Sequence, residues 1–295
     1  MTTVIVAPET PGRARSATVG SHGHGLVRWL ILAILVVVAA VVLVPFALVT
    51  MNALKSPQEY ASNGPLSFPE GLYFDGIVDF WQRVDFSQKL RNSMLISGSV
   101  AIGAIMLSLL NAFALGIGRV RGRYLFLIVF LAANMLPQEA LVYPLYYMAK
   151  EVGLYDTRLS VIIIFIVIQS AFGTYLLTSV LAAFPREIIE AARIDGASKL
   201  QVLRHVVFPL SRPTLAVLFT FFFIWTWNEF FLPLIFLVSN DNQTVPVALG
   251  VLQGQRLMDA TAQSASSLLG ILPAILFFLI FQRTLTRGVT AGALK

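Results

Sequence analysis

Cysteine is absent from this chain of 295 residues. That excludes a disulfide framework and any thiol chemistry. Charge is also scarce. Asp, Glu, Lys and Arg make up 12% of the residues, whereas a soluble domain carries about 25%. Histidine occurs three times. His22 and His24 sit together near the N-terminus, and two imidazoles in a tail do not supply the ligand set of a metal site. His205 stands alone, so no catalytic cluster supports a membrane enzyme. No Gly-rich phosphate loop opens a strand–helix unit. Gly116-Ile117-Gly118 falls where a helix ends, so the chain has no ATP site of its own. No internal repeat and no second domain are visible. The net charge is +6, but no basic stripe is interleaved with aromatics, which argues against nucleic acid.

What the chain has is apolar surface. Hydrophobic residues make up 57% of it and the mean hydropathy is +0.79. Six segments are long enough to cross about 30 Å of hydrocarbon as helices. They are Trp29 to Leu54, Asn92 to Gly118, Tyr124 to Met148, Leu159 to Phe184, Thr214 to Asn240 and Ala260 to Gln282. Helices follow because each spanning segment must satisfy its own backbone. Residues 1–25 lack apolar periodicity and read as a disordered cytoplasmic tail. The first apolar run is too long for a signal-peptide core and reads as a retained helix. The expected fold class is an all-α integral membrane protein over residues 26–295, with six transmembrane helices.

Orientation follows from the links. With the N-terminus inside, the inner segments hold 14 of the 21 Lys and Arg. The outer links hold Asp75, Asp79, Asp85, Asp156, Asp241 and Asp259. The bias of Lys and Arg toward the cytoplasm predicts N-in and C-in. Gly118-Arg-Val-Arg-Gly-Arg123 is the strongest inner anchor. The longest outer link, Lys55 to Arg91, predicts loop plus a short amphipathic helix at the membrane surface around Phe74 to Phe86.

One charged island, residues 185–213, interrupts the apolar chain. Pro185 suits a first helical turn. Glu187 and Glu190 follow, where the helix dipole favours negative charge. Ala191 and Ala192 keep the surface flat enough for a close partner. Asp195-Gly196 predicts a left-handed helix stop, and Ser198 with Gln201 predicts a capping box that restarts a helix. Phe208-Pro209 is read as a turn back toward the membrane. The residues themselves leave two readings, a docking element or an amphipathic link resting on headgroups.

The run Glu190-Ala191-Ala192-Arg193-Ile194-Asp195-Gly196-Ala197, with Val206-Val-Phe208-Pro209 after it, resembles the EAA loop of ABC importer permeases. Val206 and Phe208 replace the usual Ile and Leu. The Asp before Gly196 is similar to the carbohydrate-uptake branch, the maltose-type permeases of the smaller-subunit kind. Arg119-Val-Arg-Gly-Arg123, Met135-Leu-Pro137, Tyr143-Pro-Leu-Tyr146, Trp227-Asn228-Glu229-Phe230 and Gly288-Val-Thr290-Ala291-Gly292 resemble further family stretches in the same order. The resemblance implies a multi-pass permease of a bacterial inner membrane forming half of a translocation path for a sugar. It implies a second permease subunit, two ATP-binding cassette subunits that bind ATP and Mg, and an extracytoplasmic solute-binding protein. It also implies roles. Glu190, Ala191, Ala192, Asp195, Gly196, Ala197 and Pro209 would couple to an ATPase. Arg283, Arg287, Thr290, Ala291 and Gly292 would form tail contacts to it.

Two carboxylates fall within apolar runs, Glu139 and Glu229. Ionisable groups there are costly and read first as functional. Glu139 lies between Pro137 and Pro144, so its helix is expected to kink or break. It lines a cavity or sits in water at the helix's outer end. Glu229 is expected midway along the fifth span, hydrogen-bonded to Asn228 or Gln169. Tyr143, Tyr146 and Asn228 complete the candidate substrate path, and Tyr147, Trp225 and Trp227 are further aromatics available to a sugar face. A polyol or glycerophosphodiester importer is the alternative within the class. A stand-alone secondary carrier is the alternative outside it, and such a carrier would have no use for the island.

Overall fold

Every element among the described residues is a helix, as the need to satisfy backbone groups in hydrocarbon requires. The computed structural model describes residues 24–118, 120–255 and 260–293, with side chains over 27–118, 120–251, 254 and 260–282. The expected tail therefore falls outside the described residues, apart from its last two positions. The chain divides into two units, Met1–Leu48 and Val49–Lys295. In the first, helix α1 (His24–Ala53) begins. It is apolar all round, with a mean hydropathy of 3.2 in its most apolar window.

In the second unit, α2 (Pro57–Asn63) and α3 (Asp75–Arg83) form the link before α4 (Phe86–Ala112). Ser56 caps α2 through the Glu59 N–H at 3.2 Å. The predicted amphipathic helix is α3, which buries Phe80 and exposes Val78. A π-helical turn, Phe113–Ile117, extends α4 to Gly118. Then come α5 (Arg123–Met135), α6 (Gln138–Glu151) and α7 (Arg158–Ala182). The island forms α8 (Arg186–Ile194) and α9 (Lys199–Val202). A second π-helical turn, Leu203–Val207, joins α9 to α10 (Phe208–Asn228). The chain closes with α11 (Phe231–Phe236), α12 (Val245–Gln255) and α13 (Ala260–Ala293).

Five helices among the described residues are long and apolar enough to cross a membrane, and a sixth candidate is the pair α5 and α6. That pair bears out the kink or break expected within the span from Tyr124 to Met148. It bends by 98° at Leu136-Pro137, because Pro cannot donate to the helix before it and biases its neighbour to an extended backbone. The fifth span, expected over Thr214 to Asn240, is corrected. It runs unbroken from Lys199 to Asn228, so Phe208-Pro209 does not turn the chain. The π turn absorbs the proline: the Phe208 N–H reaches Leu203 O, and Pro209 sits in the first turn of α10, where its missing N–H costs little.

Helices α4, α7 and α10 make the core. Ala101, Ala104 and Ala112 are fully buried beside Leu177, Leu218 and Phe222. Small residues let the backbones approach, as membrane helix pairs require. A Cβ on Gly173 would lie 2.2 Å from Ser108 Oγ and 2.9 Å from Phe222 Cζ. Three polar pairs cross this interface. Ser108 Oγ donates to Ser170 O at 3.2 Å, Asn111 Nδ2 to Thr174 Oγ1 at 3.3 Å and Gln169 Nε2 to Thr226 Oγ1 at 2.8 Å. Phe277 of α13 stands edge-on to Phe223 and Trp227 of α10, with centroids 4.6 and 4.9 Å away.

Candidate functional site

The charged island is held by its own capping chemistry. Helix α8 stops at a left-handed Gly196, φ +81°. The Gly196 N–H donates to Arg193 O and the Ala197 N–H to Ala192 O, both at 3.0 Å. These two bonds are the Schellman pattern that satisfies terminal carbonyls. One residue later, α9 starts on a capping box. The Gln201 N–H donates to Ser198 Oγ at 3.3 Å, and the Ser198 N–H to Gln201 Oε1 at 2.7 Å. Both turns match the sequence expectation.

The same segment has an inner and an outer side. Ile189, Val202 and Val207 are buried in the cluster formed by α4, α7 and α10, with Ala192 and Ala197 packed against it. Glu190, Ala191, Asp195 and Gly196 are exposed. So are Ile194, at 86%, and Leu200, at 70%. These two apolar side chains open on the same side of the turn as Glu190 and Asp195, away from the core. Val120, Gly122, Arg123, Tyr124 and Arg186 line a polar cleft of about 510 Å³, which brings the predicted arginine anchor to the start of α8. His205 Nδ1 lies 3.2 Å from Gln201 O on the exposed surface, with no catalytic partner.

The intramembrane candidates gather where two helices break. Glu229 is not midway along a span, as expected. It caps the end of α10 in an extended conformation, φ −72° and ψ 128°. Its expected partners are engaged elsewhere: Asn228 Nδ2 donates to Ile224 O at 2.8 Å, and Gln169 to Thr226. The backbone N–H groups of Phe231 and Leu232, at the start of α11, act on the Glu229 carboxylate instead. Phe221, Ile224, Trp225, Asn228 and Glu229 line a groove of about 260 Å³. Glu139, in the first turn of α6, is exposed, and α6 packs against α11. Tyr143 and Tyr147 follow on α6, 71% and 49% exposed, with their hydroxyls 3.2 Å apart. Tyr146 instead packs edge-on to Tyr155, 5.0 Å between centroids, under Lys150 Nζ at 4.6 Å. It supports the cluster more than it lines a path. Of the further aromatics, Trp225 and Tyr147 belong to this constellation, and Trp227 is buried against Phe223 and Phe277 instead. The fourfold spacing of Glu139, Tyr143 and Tyr147 on one helix face signals Tyr147.

The N-terminal ends of α4 and α7 carry a polar hub that sequence reasoning passed over. Lys89 is fully buried and donates to Asn240 O. Asn92 donates to Asp241 O at 2.8 Å and Gln243 O at 2.9 Å, and accepts from Arg158 at 2.9 Å. Asp156, at φ +57°, accepts from the Ser239 N–H at 3.0 Å and from its hydroxyl. Burial alone would raise the Asp156 carboxyl, but the Ser239 bonds outweigh it and hold it below the usual carboxylate range. Lys55 is buried too and donates to Asn52 Oδ1, Gly64 O and Ser67 Oγ at 2.9 to 3.1 Å. In composition these lysines look like any outer-loop charge. No cluster of metal-ligating side chains exists among the described residues. The predicted tail contacts Arg283, Arg287, Thr290, Ala291 and Gly292 lie on the helical backbone of α13, and their side chains fall outside the described residues.

A bundle of apolar helices with an ordered charged island on one link is the arrangement of a membrane transport subunit, and known proteins agree. Residues 113–290 match the family described as binding-protein-dependent transport system inner membrane component. The chain belongs to that family and is a permease of the ABC importer class, a multi-pass protein of the inner membrane. It is 30% identical over 269 residues to the trehalose transport system permease protein SugB of Mycobacterium tuberculosis (strain CDC 1551 / Oshkosh), covering 90% of this chain and 97% of that one. It is also 30% identical over 260 residues to the sn-glycerol-3-phosphate transport system permease protein UgpE of Escherichia coli O1:K1 / APEC, covering 85% and 91%. In fold it is similar to a chain of a bacterial ABC transporter involved in the import of the acidic polysaccharide alginate. The TM-score is 0.71 at 22% identity, over 93% of this chain and 99% of that chain.

Proposed function

We propose that this chain forms half of the translocation path of an ATP-driven importer for a sugar or oligosaccharide, and that residues 185–213 couple it to an ATPase. The observation that carries the coupling is the exposed edge of α8 and its turn. Glu190, Ala191, Ile194 and Leu200 project from a segment whose other side is anchored in the core. Glu190 offers a charge for a basic partner, Ala191 lets a backbone close in, and the apolar pair gains from burial. The chain itself is not catalytic. ATP and Mg belong to two cassette subunits, a second permease completes the cavity, and a solute-binding protein delivers the substrate from outside. The termini lie in the cytoplasm, as the Lys and Arg bias indicates. Arg283, Arg287 and Thr290 to Gly292 extend α13 toward the ATPase. Glu139, Tyr143, Asn228 and Glu229 face the path, with Tyr146 behind them.

The similarity to a glycerol-3-phosphate permease favours a second substrate reading, a small phosphorylated polyol. Both readings share the coupling step, so one experiment tests it. Glu190→Ala and Gly196→Leu should leave the chain in the membrane while ATPase retention on purification and substrate-stimulated hydrolysis fall. Normal uptake by both variants would overturn the docking role.

A further inference from the structure

The groove at the end of α10 and the exposed face of α6 differ in chemistry from the rest of the membrane-embedded surface. The groove, about 260 Å³, is lined by Trp225, Asn228 and Glu229 among apolar residues. Across the break, α6 presents Glu139, Tyr143 and Tyr147 on successive turns, and all three are exposed. Exposed carboxylates and phenols are not stable against lipid tails. Discontinuous helices are where transporters place their substrates. The chain breaks twice here, at Leu136-Pro137 and at Glu229-Phe230, and α6 packs on α11, the helix that follows Glu229.

The polar groups on this wall are mostly acceptors. The Glu139 carboxylate contributes two oxygens, and Glu229 adds the lone pairs that the Phe231 and Leu232 N–H groups leave open. Asn228 spends its Nδ2 on Ile224 O, which leaves its carbonyl oxygen for a ligand. The phenols can donate or accept. The cation of α6, Lys150, is drawn over the rings of Tyr146 and Tyr155 at the far end of that helix. A neutral saccharide fits such a wall: its hydroxyls donate, and its C–H faces stack on Tyr143, Tyr147 and Trp225. A phosphate or uronate would meet negative charge, with no cation among the groove's lining residues or beside Glu139, Tyr143 and Tyr147 on α6 to receive it.

We propose that Glu139 and Glu229 make this wall a charge filter that admits neutral saccharides and rejects anionic solutes. The inference rests on the import reading above and narrows its substrate class. The wall's field is separable from coupling, so the two can fail separately.

The absence of cysteine gives a direct test. In the assembled complex, Tyr143→Cys is labelled with cationic and with anionic methanethiosulfonate reagents of similar size, and Ser62→Cys on the outer link serves as reference. The cationic-to-anionic rate ratio at position 143 should exceed the reference by about tenfold, the lower end of what a cleft lined by one sign of charge produces. Adding Glu139→Gln and Glu229→Gln should return it to the reference value. In the same complex, sn-glycerol-3-phosphate should not protect position 143 from a neutral reagent, whereas maltotriose or trehalose should. A flat ratio, or stronger protection by glycerol-3-phosphate, overturns the filter. So does a position 143 that is labelled in the isolated chain but sealed in the complex, because α6 would then be a subunit interface. If the ratio is flat while ATP hydrolysis still responds to substrate, the filter fails and the import reading stands. If hydrolysis never responds, the import reading fails whatever the ratio.

Discussion

At the scale of single residues, this chain shows how often a side chain's role depends on what surrounds it. Gly196 and Gly173 are both required, for different reasons. At Gly196 a Cβ would meet nothing within 4 Å, so only the left-handed backbone resists a side chain. Gly196→Ala should cost about 1 kcal/mol locally and leave the core intact, as hydrogen exchange across α8 and α9 would show. At Gly173 the backbone is ordinary helix and the obstacle is Ser108 and Phe222. Gly173→Leu should cost about 1–3 kcal/mol or more through overpacking, read as a lower melting temperature in detergent. Asp156 gives a pH prediction. Its carboxyl is held below the usual range by Ser239, so its contribution is present above the unfolded pKa, near 3.9. It is lost as pH falls through the lower, folded value. Below about pH 4, the loop over residues 239–242 should loosen, seen as faster labelling of Asn242→Cys. Asp156→Asn should show the same loosening at neutral pH.

At the scale of elements, the two π-helical turns and the two broken helices carry the consequences. Pro137 and Pro209 were both legible as places where the chain breaks or turns, and only Pro137 is one. Pro137 breaks the chain by 98°, while Pro209 sits inside a helix that runs on from Lys199 to Asn228. The difference lies in what replaces the missing hydrogen bond. At Pro209 the preceding π turn shifts the pattern by one residue, and packing of Val207 and Leu215 in the core holds the helix straight through. At Pro137 the preceding residue, Leu136, is extended; its N–H turns back to Ala133 O at 3.3 Å and closes α5. Pro209→Ala should therefore leave complex assembly and uptake near normal, since the proline sets no exit angle. Assembly lost in that variant would restore the turning role that the sequence suggested. Ser198→Ala removes the capping box and should cost about 1 kcal/mol, with faster exchange confined to α9.

At the scale of the whole molecule, the chain is one part of a machine. It has no phosphate loop, and its polar wall is open on one side. Purified alone, it should neither hydrolyse ATP nor concentrate solute. With a second permease, an ATPase pair and a binding protein, it should do both, because net pumping needs an energy input that biases two states of the cavity. Accumulation by this chain alone, driven by a proton or sodium gradient in liposomes, would move it to another class of carrier. Orientation is tested in intact cells. Cysteines at Ser62 and Asn242 should react with an impermeant reagent and one at Ser198 should not.

The sequence by itself determined what is local or compositional. Apolar runs of more than 20 residues read as membrane helices, because a single segment of that length satisfies its own backbone in lipid only as a helix. The turn at Gly196 and the cap at Ser198 are written in adjacent residues, since each bond spans at most five positions. The family is legible in the same way, through short motifs in a fixed order. Tertiary structure decided whatever depends on neighbours distant in the chain. It turned Lys55 and Lys89 from apparent outer charges into buried ties that bind carbonyl oxygens. It moved Glu229 from the middle of a span to the break after α10, and it set the wall of α6 beside it. Periodicity records which face of a helix is apolar. It does not record which helix lies opposite, and in a bundle the opposite helix decides whether a carboxylate is buried, capped or left open to a passing solute.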